Sequence, residues 1–181
     1  MYLGNCQNQN LPTHFTDEPK KATSLSPNSV ARQKTLGEVS LKLGKLDNAE
    51  QAFRKSVNLG EHSILKTPDA YTGLAKTCSA KGNSDEALHV LDTLDKNFDD
   101  ESARLKSLIT KGMVYQQGGD SLKALEVADE LSECTKHSPQ RLESSANLEM
   151  AQFFGSVVNR RPEITPSVMP SFCHRQASNP L

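Results

Sequence analysis

Three glycines at nearly equal spacing constrain the fold of this chain more than any other feature of its sequence. Gly44, Gly82 and Gly119 are separated by 38 and 37 residues. Each follows a stretch with helical apolar periodicity and precedes another, which is where a glycine ends a helix and allows the chain to reverse. A recurrence at this distance predicts repeated supersecondary units that stack on one another.

The residues around the three glycines keep one register. Small or apolar residues recur at three fixed offsets: Gly37, Ala75 and Gly112 seven residues before; Ala49, Ala87 and Ala124 five residues after; Phe53, Leu91 and Ala128 nine residues after. Small residues allow two antiparallel helices to cross closely, and larger ones fill the space to the next pair. Because one pair cannot bury its apolar face alone, the pattern predicts stacked helical hairpins.

The prolines delimit the helical region. Seven of the nine lie near the chain ends, and proline costs ~3 kcal/mol in a helix interior. The other two follow hydroxyl residues that can cap a helix, in Thr67-Pro68 and Ser138-Pro139. Asp47, with Glu50 three residues later, predicts a further capped start. The predicted helices are 29–43, 47–59, 68–81, 84–97, 101–118, 121–136 and 139–156.

These spacings resemble the tetratricopeptide repeat, in which a small residue, a glycine, an alanine, an aromatic residue and a proline recur. The resemblance implies an all-α solenoid of about three helical hairpins plus a partial one. The period exceeds the family's usual value of about 34 residues, and Gln33, Tyr71 and Leu108 replace its first aromatic residue. An ordinary helical bundle is the alternative.

A narrower resemblance covers about residues 20–155. The segments RQKTLGEV, AEQAFRKSV, GEHSILK and PDAYTGLAK are similar to the repeat half of bacterial response regulators that join a phospho-receiver domain to tetratricopeptide repeats. The resemblance implies a setting in bacterial signal transduction. The chain has no strand-ending aspartate pocket, so the receiver's phosphorylation chemistry is not expected of any residue.

The repeat pattern is incomplete at both ends. We expect a repeat domain at residues 28–158, an irregular segment at 1–27 with the remnant of a preceding repeat, and an irregular or disordered tail at 159–181. The proline-containing segments LPTHFTDEP and RRPEITP cannot supply the missing helices. The chain therefore reads as a piece of a longer array whose open ends favour self-association.

Composition excludes several classes of function. The 21 Lys and Arg residues nearly balance the 22 Asp and Glu residues, so no basic excess favours nucleic-acid binding. The mean hydropathy of −0.57 and the lack of a long apolar run predict no transmembrane helix. The N-terminus lacks a secretory signal, and four widely spaced cysteines predict a reducing compartment, by default the cytoplasm.

The resemblance also implies a concave groove lined by the first helix of each hairpin. The expected partner-binding residues are Lys34, Glu38, Lys42, Thr72, Lys76, Lys106, Ile109, Met113 and Gln116, and the same inward positions include Ala31, Leu41, Asp69, Ser79, Ala80 and Gln117. The lysines favour an extended or helical peptide with some acidic character. The alternative is that they only form a solvated helix face. Binding of a peptide's terminal carboxylate is not expected. Family members that bind one use asparagines at two positions where this chain has Thr35 and Glu38.

Catalysis and metal binding find little support. Cys134 and His137 share a helix face, but a zinc site needs two further ligands, and Cys173-His174 lies in the predicted tail. Ser63, Ser121 and Ser132 have no candidate general base at a sequence spacing that indicates a catalytic pair, and no glycine-rich phosphate loop is present. We therefore expect no enzyme activity and no cofactor. The expected function is a protein-interaction module, the alternative is a structural or self-associating fragment, and a role with nucleic acid is a weaker third.

Overall fold

The computed structural model describes residues 21, 26–61, 63–137 and 144–160 of the 181-residue chain. Within these residues every regular secondary-structure element is an α-helix. The helices are, in order, α1 (Val30–Lys42), α2 (Leu46–Glu61), α3 (Pro68–Ala80), α4 (Ser84–Asn97), α5 (Glu101–Gln117), α6 (Ser121–His137) and α7 (Ser144–Arg160). The first six agree with the predicted spans to within two residues at each end. The start predicted at Ser138-Pro139 and most of the predicted tails lie outside the described residues.

The three repeated glycines end helices as predicted. Gly44, Gly82 and Gly119 have φ values of 70°, 87° and 83°, in the left-handed region that glycine adopts without steric cost. The same hydrogen bond closes each helix end, from the amide after the glycine to the carbonyl five residues before it: Lys45 to Ser40, Asn83 to Cys78 and Asp120 to Tyr115, each at 2.9 Å. The glycine amides donate to the carbonyls three residues before them. This is the Schellman motif in three copies.

Replacing Gly82 by alanine is expected to lower the free energy of unfolding by about 1–2 kcal/mol, because an L-residue with a side chain is strained at this φ. Gly60 supplies the control, since it lies within α2 and an added Cβ would approach no closer than 3.5 Å to Lys66. Gly60→Ala is expected to be neutral or to stabilise by about 0.5–1 kcal/mol. Urea denaturation followed by circular dichroism measures both changes, and equal effects would contradict the role of Gly82.

The helix starts differ in part from the prediction. Asp100 caps α5, with its carboxylate accepting from the Ala103 amide at 2.9 Å. Thr67 precedes α3 as predicted, but only its carbonyl accepts a helix amide, and its buried hydroxyl has no hydrogen-bond partner in the described part of the chain. Asp47 does not precede α2, because the helix already begins at Leu46. It lies instead in the first turn, where a negative charge favours the helix dipole.

The chain divides into two compact units, residues 1–77 and 78–181. In the first unit, α1 packs against α2, and the ring of Phe53 lies at the crossing of the two helices. An added Cβ would lie 2.8 Å from this ring at Gly37 and 2.4 Å from it at Gly73. Only glycine admits the ring at this distance. Ser56, also on α2, donates to the Val30 carbonyl at 3.0 Å and ties the two helices together.

In the second unit, α5 packs against α4, α6 and α7, and α6 also contacts α7. The core consists of apolar side chains from α5, α6 and α7: Leu105, Leu108, Ile109, Ala124, Ala128, Leu131 and Phe153. Phe153 is 1% exposed and its ring lies over Gly112, where an added Cβ would be 2.3 Å away. Phe154 is partly buried against the same core.

The alanines predicted at helix crossings are buried. Ala49 and Ala87 are fully buried, and Ala124 is 3% exposed. Among the residues whose side chains the structure describes, four large apolar ones are exposed: Ile64, Leu65, Leu122 and Leu148. Ile64 and Leu65 lie in the connection between α2 and α3.

Candidate partner-binding groove

The predicted groove residues lie on α1, α3 and α5, which are the first helices of the successive hairpins. Two side-chain contacts join inward positions on different helices. In the first unit, the Lys34 Nζ of α1 lies 3.3 Å from the Asp69 Oδ2 of α3. In the second unit, the Ser79 hydroxyl of α3 donates to the Gln117 Oε1 of α5 at 2.6 Å. Each contact therefore brings together two predicted inward positions on different helices.

Lys34 does not present an isolated positive charge. Besides Asp69, it lies 3.6 Å from the Glu38 Oε1 one turn along α1. The three side chains are between 25% and 45% exposed, so water screens the pairs and each contributes about 0.2–1 kcal/mol. A carboxylate ligand approaching Lys34 therefore meets two carboxylates that already neutralise it.

The other predicted residues of the first unit differ in exposure. Lys42 at the end of α1 is exposed, and Lys76 on α3 is partly exposed. Thr72 is 7% exposed, and its hydroxyl donates to the Asp69 carbonyl at 3.2 Å within α3. Among the predicted groove residues of this unit, the charged side chains therefore retain exposed surface and Thr72 does not.

In the second unit, Lys106, Met113 and Gln116 are partly exposed along α5. Met113 also packs on the apolar core, so only part of its side chain is exposed. Ile109 is 1% exposed and belongs to that core. Seven of the nine predicted residues therefore retain exposed surface, and Thr72 and Ile109 do not.

A charge cluster away from the predicted groove was not foreseen from the sequence. The Lys111 Nζ of α5 lies 3.0 Å from the Asp92 Oδ1 and 2.8 Å from the Asp95 Oδ2 of α4. Partial burial by itself would lower the pKa of Lys111, but its hydrogen bonds to the two aspartates raise the pKa above its ordinary value. The three-residue spacing of the aspartates places them on one helix face, but nothing in the sequence indicates that Lys111 is their partner.

The described side chains were also searched for metal ligands, free cysteines and membrane-spanning helices. They include no group of three His, Cys, Asp or Glu residues that could hold a metal ion. Cys78 is buried, and Cys134 packs partly buried on the core of the second unit. No helix in the described ranges combines the length and the apolar character needed to cross a membrane.

The family model of the tetratricopeptide repeat matches residues 35–59, which cover the second half of α1, the Gly44 turn and most of α2. No curated protein matches the chain. The match supports the tetratricopeptide resemblance, and the packing of adjacent helices agrees with it, so the fold is an all-α series of tetratricopeptide-like helical hairpins. Repeats of this family generally mediate protein–protein interactions, and their fold is typically a scaffold without catalytic activity.

Proposed function

We propose that this chain is a protein-interaction module that binds a peptide or partner protein through the inward side chains of its first helices. The observation that carries the proposal is the exposed polar surface at those positions, in a repeat class that generally binds proteins. Lys42, Lys76, Lys106 and Gln116 supply this surface, and Lys34 and Glu38 contribute a paired charge.

The charges of these positions indicate the character of the partner. Lys42 is an exposed cation and favours acidic side chains. Lys34 is neutralised by Asp69 and Glu38, so a terminal carboxylate gains little there. The proposed ligand is therefore a peptide of mixed charge with some acidic residues. The narrower resemblance to receiver-linked response regulators favours a bacterial signalling protein in the cytoplasm as its setting.

Site-specific photo-crosslinking tests the proposal. A photoreactive phenylalanine replaces Lys42 or Gln116, and a matched pair of control variants carries it at Lys55 or Lys96, which are exposed on the second helices α2 and α4. We expect one protein to crosslink in cells at both groove positions and at neither control position. Crosslinking of the same protein at all four positions, or at none, would contradict the groove.

Charge reversal at two groove lysines is expected to weaken binding of the partner so identified. In Lys42→Glu/Lys106→Glu, attraction becomes repulsion, and we expect a Kd at least about tenfold higher, or ~1.4 kcal/mol. The control Lys55→Glu/Lys96→Glu makes the same change of net charge on the second helices. Isothermal titration calorimetry measures both, and circular dichroism verifies that helicity is unchanged. Equal weakening by the two variants would mean that only net charge matters.

A second candidate function is self-association of the chain. Leu148 on α7 and Leu122 on α6 are 60% and 68% exposed. Exposed apolar side chains favour contact with another molecule. Sedimentation equilibrium of the full chain tests this candidate: docking through these side chains predicts a concentration-dependent dimer that Leu148→Gln weakens.

A further inference from the structure

The predicted inward positions of α1 include three charged side chains one helical turn apart. Lys34, Glu38 and Lys42 follow one another at intervals of four residues. Residues at this interval lie on one side of a helix, about 6 Å apart along its axis. The three side chains differ in how far other residues of the first unit satisfy their charge, and this difference determines what a ligand meets there.

The charge of Lys34 is used within the chain. Its Nζ donates a hydrogen bond to the Asp69 Oδ2 at 3.3 Å, whereas the Glu38 Oε1 lies 3.6 Å from the same nitrogen, too far for a hydrogen bond. One cation therefore faces two carboxylates, and a net negative charge remains. The Glu38 side chain is 45% exposed, against 32% for Asp69. Glu38 is therefore the carboxylate that a positively charged ligand reaches most readily.

Lys42 offers the opposite charge. Its side chain is exposed and forms no ion pair with an acidic side chain in the described part of the chain. It lies in the last turn of α1, where a positive charge favours the helix dipole. That interaction uses none of the three N–H donors of the ammonium group. Lys42 therefore retains these donors for a carboxylate of a ligand.

The distance between Glu38 and Lys42 selects the spacing of the charges in a ligand. An extended chain rises 3.2–3.4 Å per residue and its side chains alternate between two sides, so residues two apart lie about 6.6 Å apart on the same side. Adjacent residues point to opposite sides. In a helical ligand, opposite charges one turn apart already pair with each other and gain less from the protein. An extended ligand with its charges two residues apart fits best.

We propose that Glu38 and Lys42 bind an extended peptide segment in which a basic and an acidic residue are separated by one residue. The basic residue pairs with Glu38, the acidic residue pairs with Lys42, and the residue between them points away from α1. This inference rests on the proposed function and deepens it by naming the ligand at this part of the groove. The charges of the two residues cancel, so recognition depends on their spacing rather than on their sum.

Synthetic peptides of equal composition test the spacing. Each is an alanine peptide of seven residues with acetylated and amidated ends that holds one lysine and one glutamate, placed adjacent, two residues apart or four residues apart. Each spacing is made in both orders, because an extended chain fits α1 in either direction. Titration into the ¹⁵N-labelled full chain, followed through the amide signals of Glu38 and Lys42, gives a Kd for each peptide. We expect the better two-apart peptide to bind about two- to fivefold more tightly than the other spacings.

Neutral variants assign the contacts. Glu38→Gln and Lys42→Gln each remove one charge, and we expect either to make the Kd values of the three spacings equal. The controls Glu61→Gln and Lys55→Gln make the same changes at exposed positions of α2 and are expected to keep the preference. Circular dichroism verifies that helicity is retained. Absence of binding by every peptide, equal Kd values in the unsubstituted chain, preference for another spacing, or a preference that persists in either groove variant would overturn the proposal.

The result is distinguishable from failure of the proposed function. One protein that crosslinks at Lys42 and Gln116, together with peptides that show no preferred spacing, would leave the interaction module in place and refute the charge spacing. In the reverse case, the spacing preference would remain a property of α1, while crosslinking at all four positions or at none would contradict the groove.

Discussion

Replacing Phe53 by alanine is expected to lower the free energy of unfolding by about 3–5 kcal/mol. The ring is fully buried and lies so close to Gly37 of α1 and Gly73 of α3 that a Cβ atom on either residue would clash with it. These glycines have no side chain that could move into the space, so the substitution leaves a cavity that the surroundings fill poorly. Urea denaturation followed by circular dichroism at 222 nm measures the change.

Ile64 is the reference for this experiment, because its side chain is fully exposed in the same unit. Ile64→Ala is expected to change the free energy of unfolding by no more than about 0.5 kcal/mol. A loss below about 1 kcal/mol for Phe53→Ala would mean that the ring does not hold the crossing together.

Replacing Ala87 by glutamate is expected to cost at least about 3 kcal/mol, because it buries a carboxylate without a partner. Ala87 is fully buried on α4, five residues after the turn glycine Gly82. A raised pKa of the new carboxyl group would offset part of this cost, so the loss is expected to shrink as the pH falls and the group takes up a proton. Thermal melts at pH 7.5 and pH 4.5 measure both effects.

The matched control is Ala151→Glu, which makes the same change at an exposed position of α7. Its effect is expected to stay within about 0.5 kcal/mol and to show little pH dependence. A melting temperature unchanged by Ala87→Glu would be incompatible with the observed register of the hairpins.

The local features of this fold were predictable from the sequence. Gly44, Gly82 and Gly119 end helices because the chain reverses there, and the positive φ selects glycine whatever the surroundings. Burial of Ala49 and Ala87 followed from their fixed distance to those glycines. These features depend on residues that are close together in the chain, so the spacing of residues in the sequence is enough to predict them.

The long-range contacts were not predictable in the same way. The contact between Phe153 and Gly112 joins residues 41 positions apart, and no local pattern in the sequence indicates it. The hydroxyl cap predicted at Thr67 is also not observed, because the buried hydroxyl has no hydrogen-bond partner in the described part of the chain.

The helices that carry the candidate groove residues were predictable from the sequence, but the exposure of the side chains was not. Lys34 and Asp69 were both placed at inward positions, but their pairing at 3.3 Å depends on the approach of two helices. Ile109 was placed there too, and its side chain is buried in the core of the second unit. Register along a helix follows from its period, whereas exposure depends on neighbours that the period does not specify.

The three Schellman turns also bear on how quickly the chain folds. Each reverses the chain over a few residues, so contacts such as those between α1 and α2 or between α5 and α6 join segments that are close in sequence. Helical proteins rich in such local contacts fold in microseconds to milliseconds, because closing a short loop costs little entropy. The contact between Gly112 and Phe153 spans 41 residues and carries a larger entropic cost. Docking of α7 is therefore expected to be the last step of folding in the second unit.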